Sequence, residues 1–533
     1  MKGASPSAPL TVGDGFHRSA FRRRVANGTI ANVVRQLLNI AGQIMLVPVL
    51  LTHWGNRLYG EWQILAATVA YITVLDLGMQ TYVVNRMNQC YARGEMAEFN
   101  RMLNSALVFS AAVCTAAVTI CLPLLWFAPL NDWFHLTLTS RSITSIVAMT
   151  LAGYAILSLP VGILGGVYRA IGEYARDITV ANVQRLGIIG LTIVIAMLGG
   201  GLVMVAAMQL LTLAGVFIFL KYDLARRHPE IHIGFRQRDW GAALSFIAPS
   251  SLFFLMQIAT AIMVQGSTLM VGATVGAGGV AIFATLRALV NLLPQTTTSF
   301  SQTLWPEFTA MEARGEQAAL NALHKLTAKV ILWASFCAAI FLHFEGGHIV
   351  ELWTGGRIPY DQGLMDAFLA LQVCASWYLM SSLVLSSSNN HRALAICRLL
   401  SSIAGLALGY FLVGPWGSAG VILGLTLADV ATCGWLIPWA SCRMLGSSTS
   451  IFVKEVLGKG VIILGLLYAA MHLLLAGLDT NLIARLFASA CTVAGVGAIL
   501  LITLWLDRQE RSRVLALLPG SLQQRLLGQA AWE

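Results

Sequence analysis

Apolar residues fill this chain in long blocks separated by short polar ones, and the blocks show no alternation of period two. Fourteen blocks approach or exceed the roughly 20 apolar residues that a helix needs to cross a hydrocarbon core of about 30 Å. They are residues 29–51, 58–84, 103–128, 142–167, 178–198, 201–220, 242–271, 279–302, 326–345, 364–388, 393–412, 418–440, 459–477 and 482–506. Without the alternation expected of barrel strands, helix is the only spanning choice. The narrowest division falls at Gly199-Gly200-Gly201, where two spans meet across a tight turn. The pattern predicts an all-α polytopic membrane protein with 14 transmembrane helices.

Composition agrees. Mean hydropathy is +0.73, and charged residues make up 11% of the chain against about 25% in soluble domains. The net charge of +10 could suggest nucleic acid, but the basic residues sit in short strips between apolar blocks. Such strips read as loops against anionic headgroups, so no nucleic acid is expected. With the N-terminus inside, Arg57, Arg141, Arg357 and Arg485 fall on the periplasmic side, and Arg35, Arg185, Arg287 and Arg398 fall within spans. The other 26 of the 34 Lys and Arg are cytoplasmic. That bias places both termini in the cytoplasm of a bacterial inner (plasma) membrane, and it favours an even span count. The tail, residues 1–28, is basic (Arg22-Arg23-Arg24) and has no apolar core of a signal peptide. The nine cysteines show no CxxC spacing; they read as packing residues, and no metal site is expected. At the other end, residues 507–533 carry Leu515, Leu517, Leu518, Leu522, Leu526 and Leu527, which suit an amphipathic surface helix.

The chain repeats itself. Ala92-Arg93-Gly94-Glu95-Met96-Ala97-Glu98-Phe99-Asn100 follows the second span, and Ala313-Arg314-Gly315-Glu316-Gln317-Ala318-Ala319-Leu320-Asn321 follows the eighth. The copies lie six spans apart and share an orientation. This divides the chain into a cytoplasmic tail (1–28), an N-lobe of helices 1–6 (29–222) and a cytoplasmic linker (223–241). A C-lobe of helices 7–12 (242–442), helices 13–14 (459–506) and a cytoplasmic C-terminal tail (507–533) follow. Two like six-helix lobes can rock about a central site, so transport by alternating access is the expected function class.

Polar side chains inside the membrane mark where that site would be. Helix 1 carries Asn32, Gln36, Asn39 and Gln43 on one face, with Arg35 beside them. Helix 8 carries Arg287, Asn291, Gln295, Thr298 and Gln302 at helical steps, and helix 7 adds Gln257 and Gln265. Arg35, Asn39, Gln43, Gln257, Gln265, Arg287, Asn291 and Gln295 are the candidate cavity residues. Arg185 and Arg398 are candidates for a cytoplasmic entrance; snorkelling to the headgroups is the competing reading for them and for Arg35. Asp429 and Asp76 are candidates for ion coupling or for a counter-ion, with Asp76 also placed to pair with Arg35. Buried arginines outnumber central carboxylates, which favours an anionic headgroup, since the guanidinium fork matches phosphate. Pro48, Pro160, Pro249, Pro294 and Pro438 sit within spans, where each removes a backbone hydrogen bond and permits a bend.

Several local patterns join this layout: Trp54-Gly55-Asn56-Arg57-Leu58-Tyr59-Gly60, Leu75-Asp76-Leu77-Gly78, Trp305-Pro306-Glu307-Phe308 and Leu352-Trp353. Over nearly its whole length the chain resembles the Wzx-type oligosaccharide flippases. These form the polysaccharide-exporter branch of the multidrug/oligosaccharidyl-lipid/polysaccharide transporter superfamily. The resemblance implies a MATE-like pair of lobes, a cationic cavity, and movement of undecaprenyl-pyrophosphate-linked repeat units to the periplasmic leaflet. It further implies an H+ or Na+ gradient as the energy source and no bound cofactor. Expected partners are the lipid-linked oligosaccharide, membrane lipids, a polysaccharide polymerase and a chain-length regulator. In related lipid II flippases helices 13 and 14 form a groove for the lipid tail. An ion-coupled multidrug exporter of the same superfamily is the first alternative, although it calls for an acidic cavity. A membrane-embedded polymerase or glycosyltransferase is the second; the short, nearly uncharged periplasmic loops argue against it, so no enzyme activity is expected. No GxxxxGK[ST] loop is present, so the chain carries no ATPase of its own.

Overall fold

A computed structural model describes residues 14–234, 239–387, 391–477 and 481–515. Every regular element among them is helical. Twelve helical stretches are long and apolar enough to cross a membrane, and the chain is a multi-pass membrane protein. Two of the stretches, Ile30–Ala92 and Arg392–Met444, run to 63 and 53 residues. A straight helix of the first length would measure roughly 95 Å, about three times a bilayer core. Neither stretch is straight. Helical backbone stops at Gly55 (φ 71°, ψ 172°) and at Gly417 (φ 56°, ψ −142°), which lie between the first and second and the eleventh and twelfth apolar blocks. The glycine turn near 199 also forms, between helices Tyr174–Met197 and Leu202–Arg227.

The two copies of the repeat fold alike. Each ends a helix with a left-handed glycine, Gly94 (φ 74°) and Gly315 (φ 70°). In the first copy the Gly94 amide donates to the Tyr91 carbonyl and the Glu95 amide to that of Cys90. In the second, Gly315 donates to Glu312 and Glu316 to Met311. This is the paired bond pattern that satisfies the last carbonyls of a helix and needs glycine at the left-handed position. Glu95 and Glu316 then open the next helices, Met96–Phe127 and Gln317–Thr354. The sequence match therefore encodes one helix–turn–helix device used twice.

The chain forms two compact units. The first comprises Met1–His53, Val69–Pro129 and Ser140–Phe254. Its core joins Met79, Val83, Met87, Phe99, Leu103, Val167, Tyr168 and Leu224, all buried. Asp223 accepts two bonds from Arg176 (2.8 and 2.6 Å) and one from the Tyr168 hydroxyl (2.5 Å). Part of the linker is pinned to Met96–Phe127: Asn100 accepts from the His232 amide, Asn104 from Gly234 and Ser105 from Asp239.

The second unit comprises Trp54–Thr68, Leu130–Thr139 and Leu255–Glu533. Its core joins Phe308, Phe336, Trp377, Phe452, Ile463, Leu467 and Trp505. The last two long helices, Lys459–Ala476 and Leu482–Leu500, are built onto Gln317–Thr354. At one end Glu345, fully buried, accepts from Arg485 (3.1 Å) and Ser489 (2.8 Å). Midway, the Trp333 indole donates to the Gly497 carbonyl (2.8 Å). At the other end Lys329 pairs with both oxygens of Glu510 (2.9 and 2.6 Å). Glu510 belongs to a short helix, Arg508–Leu515; Leu517, Leu518, Leu522, Leu526 and Leu527 lie outside the described residues.

The Lys329–Glu510 pair is almost wholly buried (side-chain exposures 4% and 10%), which sets a test. Removing one partner strands a buried charge, at a cost of about 3–5 kcal/mol, whereas apolar replacement of both is often neutral. Lys329→Met should therefore lower the melting temperature in detergent markedly, and Lys329→Met/Glu510→Leu should recover most of the loss.

Candidate functional site

Two interrupted helices create the polar centre of the second unit. In the first, Ile247–Ala261 passes through a π-helical turn, Ile262–Gly266, into Ser267–Thr274. A π turn shifts the backbone register by one residue and leaves a carbonyl short of its usual donor. Here the Val264 carbonyl accepts from the Ser267 and Thr268 hydroxyls (both 3.0 Å) and from the Arg287 guanidinium. Its Nη1 donates to the Val264 carbonyl (3.0 Å) and to the Thr268 hydroxyl (2.7 Å). Its carbon lies 5.2 Å from the centre of the Phe283 ring, within cation–π range. The second interruption separates Ala277–Val290 from Leu292–Ala313 at Asn291. Pro294 explains it, since proline has no N–H to offer the carbonyl four residues back, that of Val290.

Beside these interruptions lies a cavity of about 290 Å³, walled by Arg287, Asn291, Gln372, Arg398 and Asp429 among others. Asp429 is buried at 6% exposure. It accepts from the Tyr378 hydroxyl (2.8 Å), the Ser401 hydroxyl (3.0 Å) and, more weakly, the Cys374 thiol (3.6 Å). The carboxylate is thus held by neutral donors. Arg398 shares the cavity wall, and neither it nor Arg287 ion-pairs with a carboxylate among the described residues. Two guanidinium groups face one hydrogen-bonded carboxylate, so the cavity carries a cationic excess.

Of the residues singled out by sequence, the structure brings together Arg287, Asn291, Arg398 and Asp429. Gln257, Gln265 and Gln295 lie on adjoining helical turns of the same unit but not in this wall. Arg35, Asn39, Gln43, Asp76 and Arg185 belong to the first unit. There Arg35 is exposed, and the carboxylate it influences is that of Asp177, which also pairs with Arg169 at 3.2 Å. Asp76 is buried and accepts from the Gln80 amide (3.4 Å); Arg185 is exposed. Sequence reasoning missed Gln372, Ser376, Tyr378, Ser401 and Ser402. A signal existed: Gln372, Ser376 and Leu379 step by four and three along Gln362–Ser387, and Ser401 and Ser402 follow Arg398 by one turn.

No protein-family model and no curated protein matches the chain by sequence. Its likeness is visible in three dimensions. An inward-facing multidrug resistance transporter of the MATE family aligns at TM-score 0.65 and 17% identity, over 79% of this chain and 96% of its own. The lipid II flippase MurJ, in an inward closed conformation, aligns at TM-score 0.66 and 12% identity, over 89% of this chain and 97% of its own. A MOP-superfamily transporter from Pyrococcus furiosus aligns at 0.54 and 16%, over 80% and 96%. The chain has the fold of the MOP-superfamily transporters. These structural neighbours are transporters and flippases, not enzymes.

The Asp429 cluster generates a ranking. Tyr378→Phe removes a good O–H donor from a buried carboxylate and should cost about 1–3 kcal/mol of stability. Cys374→Ala removes only a weak donor and should cost less. Thermal unfolding of the two purified variants checks the order.

Proposed function

We propose that this chain is a flippase for an anionic, lipid-linked oligosaccharide, moving an undecaprenyl-pyrophosphate-linked repeat unit from the cytoplasmic to the periplasmic leaflet. The observation that carries the reading is the polarity of the cavity. Among the described residues Arg287 and Arg398 line it without a carboxylate ion pair, while Asp429 accepts from hydroxyl and thiol donors. Each phosphate of a pyrophosphate group offers pairs of oxygens that a guanidinium fork binds bidentately. The flippase neighbour aligns over more of this chain than the MATE transporter does, 89% against 79%. The Pyrococcus furiosus neighbour is described as having a binding pocket of reversed polarity that suggests a different function. Cavity charge is thus a feature on which members of this fold differ.

In this reading the two breaks at Gly55 and Gly417 turn the twelve apolar stretches into fourteen spans, arranged as two six-helix lobes and a final pair. The same reading puts the chain in the Wzx-type branch, and the basic strips support cytoplasmic termini in a bacterial inner membrane. A polymerase and a chain-length regulator would take the product. Access to the cavity alternates between the two faces of the membrane, and Asp429 is the candidate carboxylate for an H+ or Na+ gradient. An apolar groove of about 840 Å³ among Phe336, Trp377, Val461 and Tyr468 is lined partly by the penultimate long helix and suits an isoprenoid tail. A multidrug exporter would need a cavity of the opposite charge for cationic drugs.

A deletion strain tests the reading. Lipid-linked repeat units should accumulate on the cytoplasmic leaflet, and surface polysaccharide should fall. Arg287→Ala should fail to restore export while Arg287→Lys restores part of it. Unchanged polysaccharide together with new sensitivity to cationic dyes would reject the flippase and favour the exporter.

A further inference from the structure

One segment packs away from its sequence neighbours. Residues 54–68 follow the first long helix and precede Met79–Ala92, both of which belong to the first unit, yet they are part of the second. So is the Leu130–Thr139 connection. Three contacts seat the segment there. Gly60 lies against the start of Ala277–Val290 so closely that a Cβ would stand 1.8 Å from the Ala277 carbonyl oxygen. Glu61 is completely buried and its carboxylate takes four bonds from one loop. Oε1 accepts from the amides of Thr137 and Leu138 (both 2.8 Å), and Oε2 from the amide (3.0 Å) and hydroxyl (2.7 Å) of Thr139. Ile64 packs on Gly272 and Phe134 flanks it.

The backbone at either end of the segment is built to bend. On one side stands Gly55, outside helical geometry. On the other, helix tightens into a 3₁₀ turn, Tyr71–Asp76, followed by two left-handed residues, Leu77 (φ 53°) and Gly78 (φ 71°). A leucine in that region is uncommon and strained. A rigid helical stretch of residues 56–70 is thus suspended between two breaks, the arrangement of hinged elements in proteins that switch. Its tip also reaches the candidate site. Tyr59, 2% exposed, hydrogen-bonds through its hydroxyl with Gln63 and with Thr285, two residues before Arg287 on the same helix, and the Arg287 charge acts on it. Arg287 in turn lines the cavity.

We propose that residues 56–70 form a hinged latch that must leave its seat in each transport cycle, and that Tyr59 is a positioning residue that ties the latch to Arg287. The proposal rests on the transport reading above for its cycle, but not for its seat. A carboxylate bound by three amides and a hydroxyl is a strong anchor only while all four donors converge; displacement by a few ångströms releases all of them together. The glycine contact behaves likewise, since it exists only at close approach. Both favour two discrete states, seated and unseated, over a continuum.

The test separates seat from cycle. In Ile64→Cys/Gly272→Cys, with the native cysteines retained, a disulfide between the two positions is quantified as a linked peptide by mass spectrometry. The pair should cross-link on mild oxidation. Adding Gly60→Ala or Glu61→Gln should reduce the yield severalfold, and the second of these keeps the side chain's size should the first impair folding. The oxidised pair should stop flipping in membrane vesicles, reduction should restore it, and each single cysteine should be indifferent to oxidant. Tyr59→Phe should leave the cross-link yield intact while lowering transport. A fully cross-linked protein that still flips would overturn the latch and leave the flippase standing. If the deletion strain accumulates no lipid-linked sugar, the flippase reading falls; unchanged cross-linking in both Gly60→Ala and Glu61→Gln would overturn the seat independently.

Discussion

Water is absent from the hydrocarbon core, and every polar group in this chain that lies there must find its partner within the protein. That constraint explains why the structure is helical throughout its described residues, and it governs the places where helix fails. At the π turn Ile262–Gly266 the Val264 carbonyl takes bonds from the Ser267 and Thr268 hydroxyls and from an arginine of the neighbouring helix. The left-handed Leu77 donates its amide back to the Val74 carbonyl (3.0 Å). A broken helix in a membrane is tolerable only where some other group repairs it, so breaks and polar side chains occur together.

The same constraint divides the charged residues by purpose. Glu345, Glu510 and Asp223 are each saturated by arginine, lysine or hydroxyl partners. They fasten one helix to another. Glu61 is similarly consumed by the Thr137–Thr139 loop. Arg287 differs because its Nη1 bonds a carbonyl and a hydroxyl rather than a carboxylate, and its side chain borders a cavity. Arg398 differs because it ion-pairs with no carboxylate among the described residues, although Asp429 shares its cavity. A charge left without a counter-charge in a low-dielectric site is costly, and a mobile anion is the natural means of offsetting that cost. The cavity's chemistry thus follows from which intramembrane charges the fold has already neutralised.

The proposed transport requires that the molecule have more than one state. Packed interfaces are bistable when their contacts are short-range and cooperative, and the seat of residues 56–70 is of that kind. Tyr59 of that segment bonds Thr285, two residues from Arg287, so the proposed moving and binding parts meet on one helix.

Much of this was written in the order of residues. Block length and polarity specified helices that cross a membrane, because the hydrocarbon thickness admits few other solutions. The paired Ala-Arg-Gly-Glu turns specified their own geometry, because a left-handed glycine closing a helix is a local matter. Arg287 and Asp429 stood out because a charge amid twenty apolar neighbours is expensive wherever it points. What the sequence left open was direction. Arg35 and Arg287 occupy similar polar stripes, yet one is exposed near Asp177 and the other caps a π turn. The donors to Asp429 come from helices some fifty and thirty residues away. The seat of Gly60 pairs residues more than two hundred positions apart. Periodicity fixes the face a side chain occupies on its own helix; only the packing of helices decides what that face meets.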